Sequence, residues 1–154
     1  MKRHFAYLRY VLRHKWFVFV AGRRIKAPLW RTIIHDWSKF LSSEWGPYAW
    51  TFYKEDGTSR YIETPEFNYA WNHHQKRNKH HWQYWLLQMD RGDVIPLEMP
   101  TKYISEMVAD WMGAGRAITG RWECQEWYEA NKDKMILNYQ TRIYVESLLR
   151  IAKP

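Results

Sequence analysis

Stretches with α-helical period in this chain repeatedly place a histidine or carboxylate where an apolar side chain is expected. Tyr7, Val11, His14 and Val18 fall on one stripe, and Phe67, Ala70, Trp71, His74, Asn78, His81 and Trp85 on another. Leu29, Ile33 and Phe40 share the Asp36 side of a third helix, and Tyr103, Met107, Asp110 and Ala114 form a fourth stripe. A charge buried without a partner is very costly, so these residues must meet one another inside the fold. A lone histidine on such a face is ordinarily a satisfied core residue. Several of them, on separate helices, point to one buried polar cluster, and with it to an all-α bundle of about five to seven helices.

The chain in order gives the elements. Residues from about Arg3 to Ala21 read as a helix ended by Gly22 and Arg23-Arg24. Pro28 suits the first turn of the next helix, which carries His35-Asp36. The pattern breaks at Gly46-Pro47. Trp50 to Tyr53 and Arg60 to Ile62 flank Asp56-Gly57, so a short hairpin or ordered loop is expected near residues 50–62. Thr64-Pro65-Glu66 is a helix start, and Asn78-Lys79 a candidate bend. Arg91-Gly92-Asp93 and Pro96 mark a loop. Tyr103 to Met112 reads as a helix closed by Gly113 and Gly115. One or two closing helices span Glu123 to Ile151, with Leu137, Tyr144, Leu148 and Ile151 as their apolar stripe.

At 154 residues, one domain over residues 1–154 is expected. The longest strongly apolar run, Trp16 to Gly22, is too short to span a bilayer, and no cleavage site follows it, so neither a signal peptide nor a membrane partner is expected. The lone Cys124 excludes an internal disulfide framework and a cysteine-based zinc site, and fits a cytoplasmic setting. A net charge of +8 favours anionic partners. Lys and Arg read as spread along the chain among the acids, with no basic tail.

Imidazole and carboxylate without thiolate suit Mn, Fe, Co, Ni or Zn, and Asp36 could bridge two such ions. His14, His35, Asp36, His74, His81 and Asp110 are therefore the candidate ligands for one or two divalent transition metals. His74 and His81, seven residues apart, should face the site together, whereas His73 should be rotated away.

The order His14, His35-Asp36, His74, His80-His81, Asp110 resembles the HD-domain metal phosphohydrolases, all-helical proteins holding one or two metals. The likeness spans residues 14 to 110. Lys39 falls where two-metal branches carry the lysine of an HDxGK segment, with Ser38 in place of the glycine. The segments HDxSKF, HxxxNxHH and EMxxDW are similar to those of small uncharacterised HD-like proteins of bacteriophages and bacteria.

The resemblance implies an HD-domain-like helical bundle whose first metal would be held by His14, His35, Asp36 and Asp110. A second would be held by Asp36, His74 and His81. It further implies hydrolysis of a phosphorylated small molecule, a nucleotide above all, by metal-activated water. Asp36, Lys39 and His80 would be catalytic. Lys39, Arg77, Asn78, Lys79 and Arg116 would hold substrate.

Two other classes compete. Some HD-domain proteins are mixed-valent di-iron oxygenases that use the same ligands. A metal-free module binding nucleic acid or protein would explain the charge and the aromatic residues, but not the histidines on apolar faces.

Overall fold

In the computed structural model, residues 1–152 are described. Helix α1 spans Lys2–Arg24, α2 Leu29–Ile34, α3 Ser42–Phe52, α4 Pro65–Arg77, α5 Thr101–Thr119, α6 Cys124–Asn131 and α7 Tyr139–Ile151. A small antiparallel pair, β1 (Leu86–Gln88) and β2 (Val94–Pro96), is the one sheet among the described residues. The fold is an all-α bundle.

The long helices α1 and α5 pack against each other closely enough to need a glycine. A Cβ on Gly113 would lie 2.6 Å from the backbone nitrogen of Val18. Gly113 is thus a point of close approach, and α5 continues through it and Gly115, where the sequence suggests a stop. Its left-handed terminus is Gly120, at φ +77°.

Two apolar clusters flank the middle of α1. Val18, Met107, Met112, Val145 and Leu148 join α1, α5 and α7 on one side. Tyr7, Val11, Tyr48, Phe67 and Ala70 join α1, α3 and α4 on the other. His14 lies between Val11 and Val18, at the seam of the two cores, with its neighbours above and below packed in oil-like surroundings.

Helix α4 starts as its residues dictate. The hydroxyl of Thr64 accepts from the Phe67 amide at 3.2 Å, and Pro65 occupies the first turn, where its missing N–H costs nothing. It ends at Arg77, so His81 is not on the helical stripe assumed for it. The chain turns at Asn78 and enters a short 3-10 segment, Trp82–Trp85.

Other elements differ from the sequence reading. Helix α3 runs straight through Gly46-Pro47 and takes in Trp50 to Phe52. The hairpin or ordered loop expected near residues 50–62 is an ordered loop, closed by one bridge, Tyr53 to Ser59, around Gly57 at φ +88°. The loop around Gly92 is a true hairpin instead. On α7 the buried face is Thr141, Val145, Leu148 and Leu149, and Ile151 is exposed.

Candidate metal centre

The chain leaves α2 at His35, whose ψ of 132° is extended, and Asp36 is left-handed at φ 53°. Aspartate tolerates this conformation better than most residues. The reversal turns both neighbouring side chains inward. His35 and Asp36 are therefore buried at the end of a helix rather than along its face. The expected apolar face is wrong in detail, because Leu29, Ile33 and Phe40 are all exposed.

Around Asp36 the side chains of four segments meet. His14 Nε2 from α1 is 3.1 Å from Asp110 Oδ1 on α5 and 3.6 Å from Asp36 Oδ2. His35 Nε2 is 3.3 Å from Asp36 Oδ2 and 3.3 Å from Asp110 Oδ1. On the other side of Asp36, Oδ1 is 3.4 Å from His74 Nε2 and 3.3 Å from His80 Nε2. His14, His35, His74 and His80 are all at most 2% exposed. The Nε2 atoms of His14, His35, His74, His80 and His81, with Oδ1 of Asp36, are buried without a hydrogen-bond partner.

These atoms sort into two groups sharing Asp36. His14, His35, Asp36 and Asp110 form one, and Asp36, His74, His80 and His81 the other, with the ligand atoms of each within 4.8 Å of one another. The donors are nitrogen and oxygen only, and so fit a transition-metal ion.

Two buried glutamates set the direction of three of the rings. Glu44, on α3 and fully buried, accepts from His74 Nδ1 at 2.6 Å and from the Ser38 hydroxyl at 3.1 Å. Glu106, one turn before Asp110, accepts from Nδ1 of both His35 and His80 at 3.3 Å, and from Arg31 at 2.9 Å. A carboxylate can only accept when ionised, so each Nδ1 carries the proton and each Nε2 presents its lone pair to the centre. Sequence reasoning missed Glu44. Its signal was an acid on the α3 face that also carries Tyr48 and Thr51. Glu106 enters the sequence reading only as the first residue of the EMxxDW segment.

The electrostatics are those of ionised acids among imidazoles. Burial pushes the Asp36 carboxyl upward, but His35, Lys39 and His74 outweigh it and hold it well below the usual carboxylate range. Asp110 behaves likewise through His35 and His14. Burial, with His80 and His74 beside it, holds His81 well below the ordinary imidazole value, so its ring is neutral. Burial also lowers His35, yet Asp36 and Asp110 carry it well above the ordinary value.

The remaining expected residues separate clearly. Lys39 Nζ is 2.6 Å from Asp36 Oδ2, between the centre and a cleft of about 880 Å³. Asn78 caps α4 and donates to the Ser38 hydroxyl at 3.0 Å, so it braces His74 instead of facing a substrate. Arg116 has its guanidinium over the rings of Phe17 and Trp122. Arg77 and Lys79 are exposed, with the Lys79 ammonium over Tyr84 at 5.5 Å. His80 lies with the ligand groups, and His73 is exposed, as the helical register requires.

Residues 3–151 match a family of unknown function (DUF5662), and the chain belongs to that family. No curated protein and no solved structure matches it.

Proposed function

We propose that this member of the DUF5662 family is a metal-dependent phosphohydrolase acting on a nucleotide or a related phosphoester. The observation that carries the reading is the set of five buried, unpartnered Nε2 atoms gathered on Asp36 and Asp110, three of them aimed by Glu44 and Glu106. Buried polar groups in folded proteins have partners, so a whole cluster without them needs a cation to complete it. The order of these residues, with its likeness to HD-domain phosphohydrolases, supports the same conclusion.

Divalent ions held there would lower the pKa of water and neutralise charge on phosphoryl oxygens. The chain's own groups supply the rest. His14, His35 and Asp110 face one side of Asp36, and His74, His80 and His81 the other, so Asp36 is the group shared between two sites. Lys39 is kept cationic: burial disfavours its charge, but Asp36 outweighs this and raises it well above the ordinary lysine range. Its ammonium is a fixed positive point at the boundary of centre and cleft, placed to engage a phosphoryl group. In the hydrolysis, a water oxygen bonds to phosphorus, the ester P–O bond breaks, and the proton goes to the departing oxygen.

The cleft beyond Lys39 favours a small aromatic substrate. It is lined by Tyr7, Tyr10, Tyr48, Tyr61 and Trp71, and its volume is that of an ordinary small-molecule pocket. Aromatic walls offer stacking surface for a base.

The test is metal analysis of protein purified without a histidine tag, followed by phosphate release from a nucleotide panel with added Mn. One to two ions of Mn, Fe, Co, Ni or Zn per chain are expected, and Asp36→Asn should lose both the metal and the activity. A metal-free protein, with an Asp36→Asn variant of equal stability and activity, would overturn the reading. Consumption of oxygen with Fe(II) and an oxidised product would replace it with the oxygenase class.

A further inference from the structure

The charge of this chain is not spread as the sequence reading has it. Before Asp36 there are nine Lys and Arg and no Asp or Glu, whereas from Asp36 onward 15 Lys and Arg meet 16 acids. The whole positive excess belongs to α1, α2 and their connection.

The same stretch holds large apolar side chains in solvent. Leu12 and Trp16 on α1 are 53% and 61% exposed, and Trp30, Ile33, Ile34 and Trp37 lie between 47% and 56%. Residues 12, 16, 19 and 23 form one stripe of α1. On it Trp16 stacks on Phe19 at 5.9 Å, and the Arg23 guanidinium covers the Phe19 ring at 5.7 Å. Helix α2 lies against the adjoining side of α1, where Gly22 meets Thr32 and Lys15 donates to the carbonyls of Ile33 and His35. The stripe and the outer side of α2 thus make one apolar surface on a segment that carries nine cations and no acid of its own.

We propose that this face docks on an anionic lipid bilayer. Tryptophan and branched aliphatic side chains enter the boundary between headgroups and acyl chains, while Lys and Arg stay with anionic headgroups. Charge decides against the other occupants. A second copy on the same face would set one all-cationic surface against another. A nucleic acid would use the cations but leave Ile33 and Ile34 in water. No helix of the described residues is long and apolar enough to cross a membrane, so the contact would be peripheral. The inference replaces the expectation of no membrane partner, and it stands independently of the phosphohydrolase reading.

The test is co-sedimentation of the full chain with phosphatidylcholine vesicles, with and without phosphatidylglycerol. Binding to the anionic vesicles alone is expected, reversed by high salt, with a blue shift of tryptophan emission. Each cation near such a surface contributes roughly fivefold to partitioning, so Arg9→Glu, at an exposed position one turn before Leu12 on α1, with Arg23→Glu should lower binding at least ~20-fold. Trp30→Ser with Ile33→Ser should also lower it, with folding verified by circular dichroism. Tyr69→Ser with Ile136→Ser, exposed apolar positions elsewhere, should leave it unchanged. The proposal is overturned by absence of binding, by equal binding to neutral vesicles, or by patch variants that bind like the parent. It is equally overturned by preference for an oligonucleotide, or by a dimer that Trp30→Ser with Ile33→Ser dissolves.

Discussion

Replacing Gly113 with alanine should loosen the candidate metal centre from one helical turn away. The added Cβ would lie 2.6 Å from Val18 N, 2.6 Å from Val18 Cγ2 and 2.9 Å from Val18 Cα, against 3.4 Å for ordinary contact. Two of those three atoms are backbone, so a rotamer change of Val18 cannot relieve the clash. The helices must part by about 0.8 Å, a large displacement on the scale of packed interiors. Overpacking of this kind costs ~1–3 kcal/mol, and the backbone contact puts it near the upper end. Alanine returns ~1 kcal/mol through its helix propensity. The net loss is ~2 kcal/mol, which for a chain of this size lowers Tm by ~4–8 °C.

The same wedge acts on the site. His14 precedes Val18 by four residues and Asp110 precedes Gly113 by three, so opening the helix pair pulls apart the 3.1 Å approach of His14 Nε2 to Asp110 Oδ1. Metal affinity should fall along with Tm. Gly115→Ala is the control, because its Cβ meets nothing within 4 Å. There only the propensity gain remains, up to ~1 kcal/mol, and Tm should rise. Scanning calorimetry with and without added metal reads both variants. A Gly113→Ala protein with an unchanged or raised Tm would show that the helix pair is not as closely apposed as argued.

Glu44→Ala should weaken metal binding roughly 10- to 100-fold while the bundle still folds, since what is lost is the acceptor for His74 Nδ1 and the Ser38 hydroxyl. Chelator competition measures this, and unchanged affinity would remove the orienting role of Glu44. For Glu106, burial raises the carboxyl, but the N–H groups and charge of His35 and His80 outweigh it and bring it from 4.5 to about 2. A depressed folded-state value stabilises the fold above pH 4.5, and that contribution is lost as the pH falls towards about 2. Metal-free Glu106→Gln should therefore show a shallower loss of stability over this window in pH-dependent unfolding, and an unaltered slope would count against the assignment. Burial, with Asp110 and Glu126 adding to it, pushes the Cys124 thiol up to about 12. Iodoacetamide at mildly alkaline pH should label it slowly in the folded chain and fast in denaturant, and equal rates would contradict the half-buried placement.

Much of the bundle is legible in periodicity because the long helices bury continuous stripes. Tyr7, Val11, His14 and Val18 are all buried on α1, and Thr64-Pro65 starts α4 where local chemistry demands. The errors come where tertiary contact overrides a local signal. Gly113 reads as a helix stop, yet it is a point of close approach, and only the position of α1 distinguishes the two. Gly46-Pro47 reads as a break, but sits near the start of α3, where the chain stays helical across it.

Helical phase accounts for the centre only in part. The i, i+4 argument put Asp36 on a buried helical face with Leu29, Ile33 and Phe40, and His81 on the stripe of His74. In the fold those apolar residues face solvent, Asp36 is left-handed beyond the end of α2, and His81 lies after α4 has ended. What survives is the partner argument, which does not depend on helical phase. A buried acid or imidazole must be answered by another polar group, wherever the backbone puts it. That argument also covers His80, Glu44 and Glu106, which the stripes did not select. His80 enters because the turn after Asn78 carries it inward. The two glutamates enter because a histidine that offers Nε2 must give its other N–H somewhere. A sequence search for this centre therefore does better to pair every acid on a helix's buried side with a distant histidine than to extend one stripe through a bend.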